Sequence, residues 1–444
     1  MKTLYPTLCR RVALISEHAS PLARPGNVDS GGQNIYVAHV ARNLGLMGCA
    51  VDVFTRRDDP DLPEIQPWGR NVRVIHVPAG PAKYVRKEDL APLMPEFARW
   101  MIGFIAGNKI RYDVLHPNFW MSGMVALTLK KELKIPFVMT FHALGPIRRM
   151  HQGQADQFPD QRDRVEAEIA RCADAVIAEC PQDQIDISRL YDVPAEKMPV
   201  IPCGFDPVEI WPVSKAEARA SLGFDDDEKI VLQLGRIVPR KGVDLVISGL
   251  AKLRTQHGIR ARLVVVGGAL NGPCSDAAEM ERLLHVAAKE GITGQVMLTG
   301  QRDRKDLKLF YSAADVFVTV PWYEPFGITP LEAMACGTPV IGSDVGGIRF
   351  SVQNELTGLI IPPRDTDSLA AALARIFKDP SFAQRLGRQG IRRVNEHFTW
   401  QMVTRRILAL YEKVVARDRS QSAQLPAAAP RKLQTAYGLE AQRI

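Results

Sequence analysis

Two glutamates, Glu324 and Glu332, flank the turn-forming pair Phe326-Gly327. The apolar run at residues 316–320 is typical of a buried parallel strand, so the turn is expected at the carboxyl end of that strand, where open α/β sheets bind ligands. A helix beginning near Ile328 would direct unpaired N–H groups at the same place. Carboxylates there can accept hydrogen bonds from vicinal sugar hydroxyls. The spacing favours an anionic ligand with sugar rings; alternatively, Glu324 is a turn residue and Glu332 balances the helix dipole.

Two cations, Arg236 and Lys241, lie between Gly235 and Gly242, directly after the predicted strand at residues 230–234. Arginine offers a planar fork and lysine a point charge, and together beside a glycine turn they can hold a pyrophosphate. The alternative interpretation is a basic surface turn. This segment therefore extends the hypothesis to a nucleotide diphosphate carrying a sugar.

Two features of the first half of the chain also follow predicted strands. His142 comes after the strand at residues 137–140, and Gly31-Gly32 precedes a helix that contains Val37. Paired glycines let the backbone approach a phosphate at a helix N-terminus, although many turns need glycine for conformational reasons alone. A single histidine is often structural. The glycines do not form the Gly-x-Gly-x-x-Gly dinucleotide fingerprint, which argues against a dehydrogenase.

Two series of short β-branched strands alternate with amphipathic helices. The first series is predicted at residues 11–16, 51–55, 72–77, 113–116, 137–140 and 175–178, and the second at 230–234, 263–266, 296–299, 316–320 and 339–341. Strands that alternate with helices form parallel sheets, so two series predict an α/β protein with two Rossmann-like domains.

The prolines and acidic residues between 202 and 229 interrupt this rhythm and mark the domain boundary. We expect a first Rossmann-like domain at residues 1–210 and a second at 211–398. A final helix is expected at 399–417. Residues 418–444 are rich in Ser, Ala, Gln and Pro and are predicted to be disordered.

The segment at residues 323–340 resembles the donor-site signature of glycosyltransferase family 4, the retaining nucleotide-sugar transferases of the GT-B fold. The segment at 18–34 is similar to the start of D-inositol-3-phosphate glycosyltransferases, and its Asp-x-Gly-Gly-Gln portion is similar to sucrose and sucrose-phosphate synthases. The resemblance implies two domains facing a cleft, with the last helix crossing back to the first domain.

The resemblance also implies roles on the donor side. Glu324 would lie over the sugar, Glu332 would hold the ribose hydroxyls and His142 would contact the sugar, while Arg236 and Lys241 would bind the diphosphate. His142, Arg236, Lys241 and Glu324 are the candidate catalytic residues. The remaining candidates for donor binding are Gly32, Phe326, Gly327, Ile328 and Thr329.

On the acceptor side, the positions that match the inositol-phosphate enzymes are His18, Asp29, Asn34, Lys87 and Arg162. Alternatively, Lys87 and Arg162 are solvated surface cations. Phe119 and Ala143 stand where that family has a tyrosine and a threonine, and Gln33 replaces its usual methionine. Each missing hydroxyl removes a hydrogen bond worth roughly 0.5–1.5 kcal/mol. An acceptor other than inositol 3-phosphate is therefore expected.

The expected reaction is transfer of a hexosyl group with retention from a nucleotide-diphosphate sugar, with UDP-sugars favoured, to a hydroxyl of an acceptor that can carry a phosphate. In the family account, the leaving phosphate takes the acceptor proton, so no protein nucleophile is needed. The alternatives are sucrose-phosphate synthase-like transfer to a sugar phosphate, GDP-mannose-dependent transfer to a lipid or glycan, a phosphorylase with pyridoxal on a lysine, and a catalytically idle nucleotide-sugar-binding protein.

No cofactor or metal is expected beyond the nucleotide-sugar co-substrate. The Asp-x-Asp at Asp365–Asp367 precedes a helix predicted at 368–376 and is expected to be an N-cap rather than a metal site.

The bulk composition of the 444 residues is typical of a soluble enzyme, with 46% hydrophobic and 24% charged residues. No apolar run approaches the length of a membrane-spanning helix, no secretory signal is evident, and the seven cysteines form no Cys-x-x-Cys pair, which predicts a cytoplasmic protein. The net charge of +8 occurs in short basic pairs without a nucleic-acid-binding signature. Peripheral contact with an anionic membrane stays open, and the oligomeric state cannot be read.

Overall fold

The computed structural model describes residues 9–23, 31–268 and 276–424. The first lobe contains seven strands: β1 (Arg11–Ile15), β2 (Ala50–Arg56), β3 (Ile65–Pro67), β4 (Val72–Val77), β5 (Val114–Pro117), β6 (Val138–Thr140) and β7 (Ala175–Ile177). Five form a sheet in the order β3-β4-β2-β1-β5, in which β3 alone is antiparallel. The parallel pair β6-β7 continues this sheet through bridges from Leu115 to Phe137 and from Asn118 to Thr140.

Helices cover both faces of this sheet. They are α1 (Gly32–Leu46), α2 (Met94–Gly107), α3 (Trp120–Leu133), α4 (Gly145–Gln152), α5 (Arg162–Cys172) and α6 (Pro181–Tyr191). The helices bury their apolar side chains in two clusters, one on either side of the strands. The strands are consequently apolar on both faces, as expected for a parallel sheet.

The second lobe has a six-stranded, entirely parallel sheet in the order β10-β9-β8-β11-β12-β13. Its strands are β8 (Ile230–Leu234), β9 (Arg262–Val266), β10 (Val296–Leu298), β11 (Val316–Thr319), β12 (Val340–Ser343) and β13 (Gly358–Ile361). Its helices are α7 (Lys215–Leu222), α8 (Val243–His257), α9 (Ala277–Lys289), α10 (Leu307–Ala313), α11 (Thr329–Ala335), α12 (Ile348–Ser351), α13 (Thr366–Lys378) and α14 (Pro380–His397). The prediction of two Rossmann-like domains is confirmed.

Two edge strands, β3 and β13, were missed. Ile65–Pro67 contains too few residues to show an alternating pattern, and Gly358–Ile361 follows a loop and begins with glycine, which is uncommon within strands. Both pair with an already formed neighbour, so they depend on the sheet rather than on their own sequence.

The last helix, α15 (Trp400–Gln424), crosses back to the first lobe as predicted. The hydroxyl of Tyr411 lies 2.5 Å from His116 Nδ1 in β5. The helix does not end near residue 417, however, so the prediction of disorder is wrong for 418–424. Arg419 donates a hydrogen bond of 2.9 Å to Asp113, a long-range contact that local composition could not reveal. Residues 425–444 lie outside the described part of the chain.

Among the described helices, none is long and apolar enough to cross a membrane. Asp365 caps α13 by accepting hydrogen bonds from the N–H groups of Asp367 and Ser368, which confirms its predicted capping role. The division of the chain near residue 210 stays a prediction.

Candidate active site

The two lobes touch where the end of α4 and the segment after β7 meet the segment after β11. Gln152, at the end of α4, donates a hydrogen bond to the hydroxyl of Tyr323, and His151 stacks on the Tyr323 ring with 4.9 Å between ring centroids. The Cys180 thiol, after β7, donates to the carbonyl of Pro325 at 3.4 Å. The loop between β11 and α11 therefore faces the first lobe directly.

Glu324 lies in this loop and is paired with two cations from the loop after β8. Lys241 Nζ contacts Glu324 Oε2, and Arg240 Nη1 lies 3.5 Å from the same oxygen. Burial opposes ionisation of Glu324, but Lys241 and Arg240 hold the pKa of its carboxyl below the ordinary value. Burial lowers the pKa of Lys241, and Glu324 opposes that shift. The structure thus brings together two predicted site residues that are distant in sequence.

Close backbone contacts shape the loops that follow β11 and β12. Gly347 donates to the carbonyl of Glu324 at 3.2 Å, and a Cβ on Gly347 would lie 2.3 Å from Phe326 Cα. Gly327 has a φ of 87°, a conformation that favours glycine. Arg236 is exposed in the loop after β8. These glycines fix the loop that carries Glu324.

The other predicted donor-side residues at this loop take different positions. Phe326 is buried, with its ring 6.3 Å from that of Phe398, so its side chain serves the core. Ile328 is buried directly before α11, and Thr329 is the first residue of that helix. Gly32 is exposed at the start of α1, and a Cβ there would lie 3.9 Å from Ile328 Cδ1. The start of α1 therefore faces the loop between β11 and α11.

Glu332 is buried in the first turn of α11 between two partners. Its Oε2 accepts a hydrogen bond of 2.9 Å from the hydroxyl of Tyr311. Its Oε1 lies 2.9 Å from Arg304 Nη2, but neither of these two atoms forms a hydrogen bond of good geometry. The carboxylate is held in place while one oxygen keeps an unused acceptor site.

His142 is held between an acid and an amide. Its Nδ1 lies 3.1 Å from Glu179 Oε1 and its Nε2 lies 3.0 Å from Asn118 Oδ1. Its backbone has a φ of 58°, which is uncommon outside glycine. The thiol of Cys203 donates to the same Glu179 oxygen at 3.1 Å. Burial raises the pKa of Glu179, but His142 and the Cys203 hydrogen bond hold it below its ordinary value.

The predicted acceptor-side residues are only partly assembled. His18 Nδ1 lies 2.7 Å from Glu17 Oε1, at the end of β1. Asn34 is buried, and its side chain accepts from the N–H of Gly31 and donates to the carbonyl of Ser20, so it fixes the start of α1. Lys87 is half-buried in a 3-10 turn. Asp29 lies outside the described residues.

Arg162 is not a solvated cation, and that alternative is wrong. Its side chain is fully buried, its Nε donates to Glu166 at 2.7 Å and its Nη2 donates to the carbonyl of Ala143 at 2.7 Å. Its guanidinium lies 4.9 Å from the ring centroid of Phe119. Glu166 lies four residues later on the same helix, a spacing that brings two side chains together, but the burial of the pair could not be read from this spacing.

Sequence reasoning missed four polar residues that surround the predicted ones: Asn118, Glu179, Arg240 and Arg304. Asn118 and Glu179 each follow a strand of the first lobe, so the rule that ligands bind beyond strand ends could have found them. Arg240 is adjacent to Lys241 and could also have been included. Arg304 precedes α10, and only the tertiary structure places it beside Glu332.

The chain is similar to known proteins over nearly its whole length. A model of the glycosyl transferases group 1 matches residues 214–393, and a model of the glycosyl transferase 4-like domain matches residues 31–204. The D-inositol 3-phosphate glycosyltransferase of Saccharomonospora viridis is 33% identical over 420 residues, which cover 94% of this chain and 96% of that protein. The enzyme of the same name from Kineococcus radiotolerans is 34% identical over 420 residues, with 91% and 96% covered.

A solved structure is similar over the same length. The sucrose-phosphate synthase from Thermosynechococcus elongatus is 36% identical, with a TM-score of 0.85, and the match covers 92% of this chain and 100% of that one. Because two glycosyltransferase models together match most of the chain, and relatives of 33% and 36% identity cover more than nine tenths of it, the chain belongs to glycosyltransferase family 4 and is a nucleotide-sugar-dependent glycosyltransferase of the GT-B fold.

Proposed function

We propose that this enzyme transfers a hexosyl group, with retention of the anomeric configuration, from a UDP-sugar to a hydroxyl of a phosphorylated sugar or polyol. The observation that carries the proposal is the opposition of Glu324 with Lys241 on one lobe to His142 with Glu179 on the other, in a chain similar throughout to enzymes named for sugar-phosphate chemistry.

The second lobe would hold the donor. Glu332 would accept hydrogen bonds from the ribose hydroxyls, and Arg236 and Lys241 would neutralise the diphosphate. Gly32, at the start of α1, would meet the distal phosphate from the other lobe. Residues 1–210 would then form the acceptor-binding domain and residues 211–398 the donor-binding domain.

The chemical step requires the bond between the sugar and the diphosphate to loosen, so negative charge builds on the leaving group. Cations and N–H groups positioned to face that charge stabilise the transition state, and removing one such donor costs on the order of 3–4 kcal/mol. The carboxylates nearest the proposed sugar site are already paired, Glu324 with Lys241 and Glu179 with His142. In line with the account given for the family, the leaving phosphate would take the proton of the acceptor hydroxyl on the same face, so no protein nucleophile is proposed.

The acceptor is proposed to differ from inositol 3-phosphate. Phe119 and Ala143 lack side-chain hydroxyls, and Arg162 is bound to Glu166 and to the carbonyl of Ala143. Three contacts that a phosphate at that place would use are therefore missing or already engaged. A hexose phosphate such as fructose 6-phosphate, which suits the similarity to sucrose-phosphate synthase, is the first acceptor to test.

The test is a matrix of donors and acceptors. UDP-glucose, UDP-N-acetylglucosamine, GDP-mannose and ADP-glucose are each incubated with fructose 6-phosphate, glucose 6-phosphate, inositol 3-phosphate and the unphosphorylated sugars. Product formation is followed by release of the nucleoside diphosphate, and NMR gives the anomeric configuration. Transfer from a UDP-sugar to a phosphorylated acceptor with retention supports the proposal. Transfer only to unphosphorylated acceptors, or with inversion, would refute it.

A further inference from the structure

A chain of charged groups connects the segment that joins the lobes to Glu332, whose side chain is buried while those of Glu209 and Arg304 are partly exposed. Glu209 lies in that segment, and its Oε2 contacts Nε of Arg304. Arg304 Nη2 in turn lies 2.9 Å from Glu332 Oε1. One guanidinium therefore contacts two carboxylates that are far apart in sequence.

The same short stretch supplies both partners of Glu332. Arg304 begins the 3-10 turn that leads into α10, and Tyr311 lies within α10 and donates to Glu332 Oε2 at 2.9 Å. A change in the position of α10 would move both partners together. The orientation of Glu332 is thus set by α10 rather than by its own helix alone.

Glu209 is itself connected to the first lobe. Its Oε2 lies 3.8 Å from His39 Nε2, and Asp206 Oδ2 lies 3.6 Å from the Nδ1 of the same ring. The His39 ring is stacked on Trp400, the first residue of the crossover helix, with 5.3 Å between centroids. The atom types would suit a metal ion, but the two carboxylates face opposite ring nitrogens, and Glu209 is already paired with a guanidinium.

We propose that Arg304 is a positioning residue for recognition of the donor ribose: it fixes the Glu332 carboxylate and ties it, through Glu209, to the segment that joins the two lobes. This inference rests on the proposed role of Glu332 in ribose binding. It adds a residue to the donor site and connects nucleotide binding physically to the segment that joins the lobes.

The physical reason lies in the burial of Glu332. Its side chain is 2% exposed, and a buried carboxylate that loses its charged partner is left uncompensated, so it must turn towards another donor. A carboxylate that has turned no longer presents its free oxygen to a pair of hydroxyls. Arg304 Nη2 and Glu332 Oε1 are both buried without a well-formed hydrogen bond, so the guanidinium supplies charge and position without saturating the oxygen.

The experiment compares ligands that differ only in the ribose hydroxyls. Calorimetric titration gives the dissociation constants of UDP and of 2′,3′-dideoxyuridine 5′-diphosphate. The constant of the dideoxy form divided by that of UDP reports recognition of the ribose hydroxyls, and it falls when that recognition is lost. For Arg304→Gln we expect this ratio to fall roughly tenfold relative to the wild type. Arg304→Lys keeps the charge but cannot contact both carboxylates as a fork, so a partial fall is expected. Lys305→Gln, an exposed neighbour, is the matched control and should keep the wild-type ratio.

Each outcome separates this inference from the assignment of Glu332. If Glu332→Gln lowers the ratio and Arg304→Gln leaves it unchanged or raises it, the positioning role is overturned and the ribose site stands. If Glu332→Gln itself keeps the wild-type ratio, the ribose assignment fails and the inference fails with it. Parallel titrations with ADP, GDP and their dideoxy forms cover the case in which the base is not uracil. Binding of none of these nucleotides would overturn both.

The connection to the segment that joins the lobes is tested with Glu209→Gln, which removes the charge of the second carboxylate that contacts Arg304. A fall of the same ratio in this variant, smaller than in Arg304→Gln, supports the connection, because Glu209 acts on the ribose only through Arg304. A loss of affinity equal for UDP and its dideoxy form would show a general structural role and would contradict it. Thermal unfolding of each variant confirms that the proteins compared are folded.

Discussion

Lys241 and Glu324 form an ion pair between the loop after β8 and the loop after β11, although 83 positions separate them in the chain. The strands β8 and β11 are adjacent in the sheet, so their carboxyl-terminal loops meet at the same edge. In the proposed reaction this pair would place a cation at the diphosphate and a carboxylate at the sugar. The two side chains would therefore act as one unit.

Replacing Lys241 by alanine is expected to reduce kcat/KM by about 10²–10³-fold, because a preorganised charge opposite the leaving diphosphate is lost. Lys241→Arg keeps the charge and should retain more activity. Steady-state kinetics with the identified donor and acceptor provide the measurement. Lys252→Ala serves as the control, since Lys252 pairs with the exposed Asp367, outside the candidate site. Equal kinetics for the alanine variants at both positions would contradict the assignment.

Glu179→Gln is expected to lower kcat by roughly tenfold. Glu179 is buried, and its carboxylate faces the His142 ring. The substitution removes the charge of this side chain but keeps its size, so the His142 ring is held less firmly. Activity and the 15N chemical shifts of the His142 ring would be measured together. Glu168→Gln, an exposed glutamate on α5, should leave both unchanged. A Glu179→Gln enzyme with wild-type kcat and wild-type His142 shifts would show that the contact is incidental.

The free energy of unfolding is expected to decrease as the pH is lowered, because of His116. Burial lowers the pKa of His116 from 6.5 to about 3, and His142 acts in the same direction. The unfolded chain takes up a proton below pH 6.5 that the folded protein does not, so this stability is full above pH 6.5 and is lost at up to about 1.4 kcal/mol per pH unit towards pH 3.

Denaturant unfolding between pH 4.5 and 7.5 checks this expectation in the wild type and in His116→Gln. The difference in stability between the two should shrink as the pH falls, because the variant lacks the titrating group. His285→Gln, at an exposed position on α9, should track the wild type. A difference that is constant across the range would mean that His116 does not set the dependence.

The acceptor preference is expected to change when hydroxyls are restored. Phe119→Tyr combined with Ala143→Thr should raise activity with inositol 3-phosphate by about tenfold, because two potential donors to the acceptor phosphate are added. The measurement compares kcat/KM for inositol 3-phosphate and fructose 6-phosphate. Ala155→Thr, at an exposed alanine, is the control. An unchanged ratio of the two values would place acceptor recognition elsewhere in the cleft.

Much of the fold followed from local patterns. The β4 and β8 strands lie where their β-branched runs predicted them, at Val72–Val77 and Ile230–Leu234, because alternation of strands with helices is written in the periodicity of apolar residues. Edge strand β13 escaped because it forms by pairing with β12. The extension of α15 beyond residue 417 escaped because Arg419 pairs with a residue 306 positions away.

By itself the sequence determined the fold class, through the periodicity of its apolar residues, and the family, through short segments that follow strands. Only the tertiary structure decided which charges meet. It paired Glu324 with Lys241, set Arg304 between Glu209 and Glu332, and buried the Arg162–Glu166 pair instead of leaving it in solvent. The physical reason is that a buried charge must find a partner in space, and for most of these pairs that partner is distant along the chain.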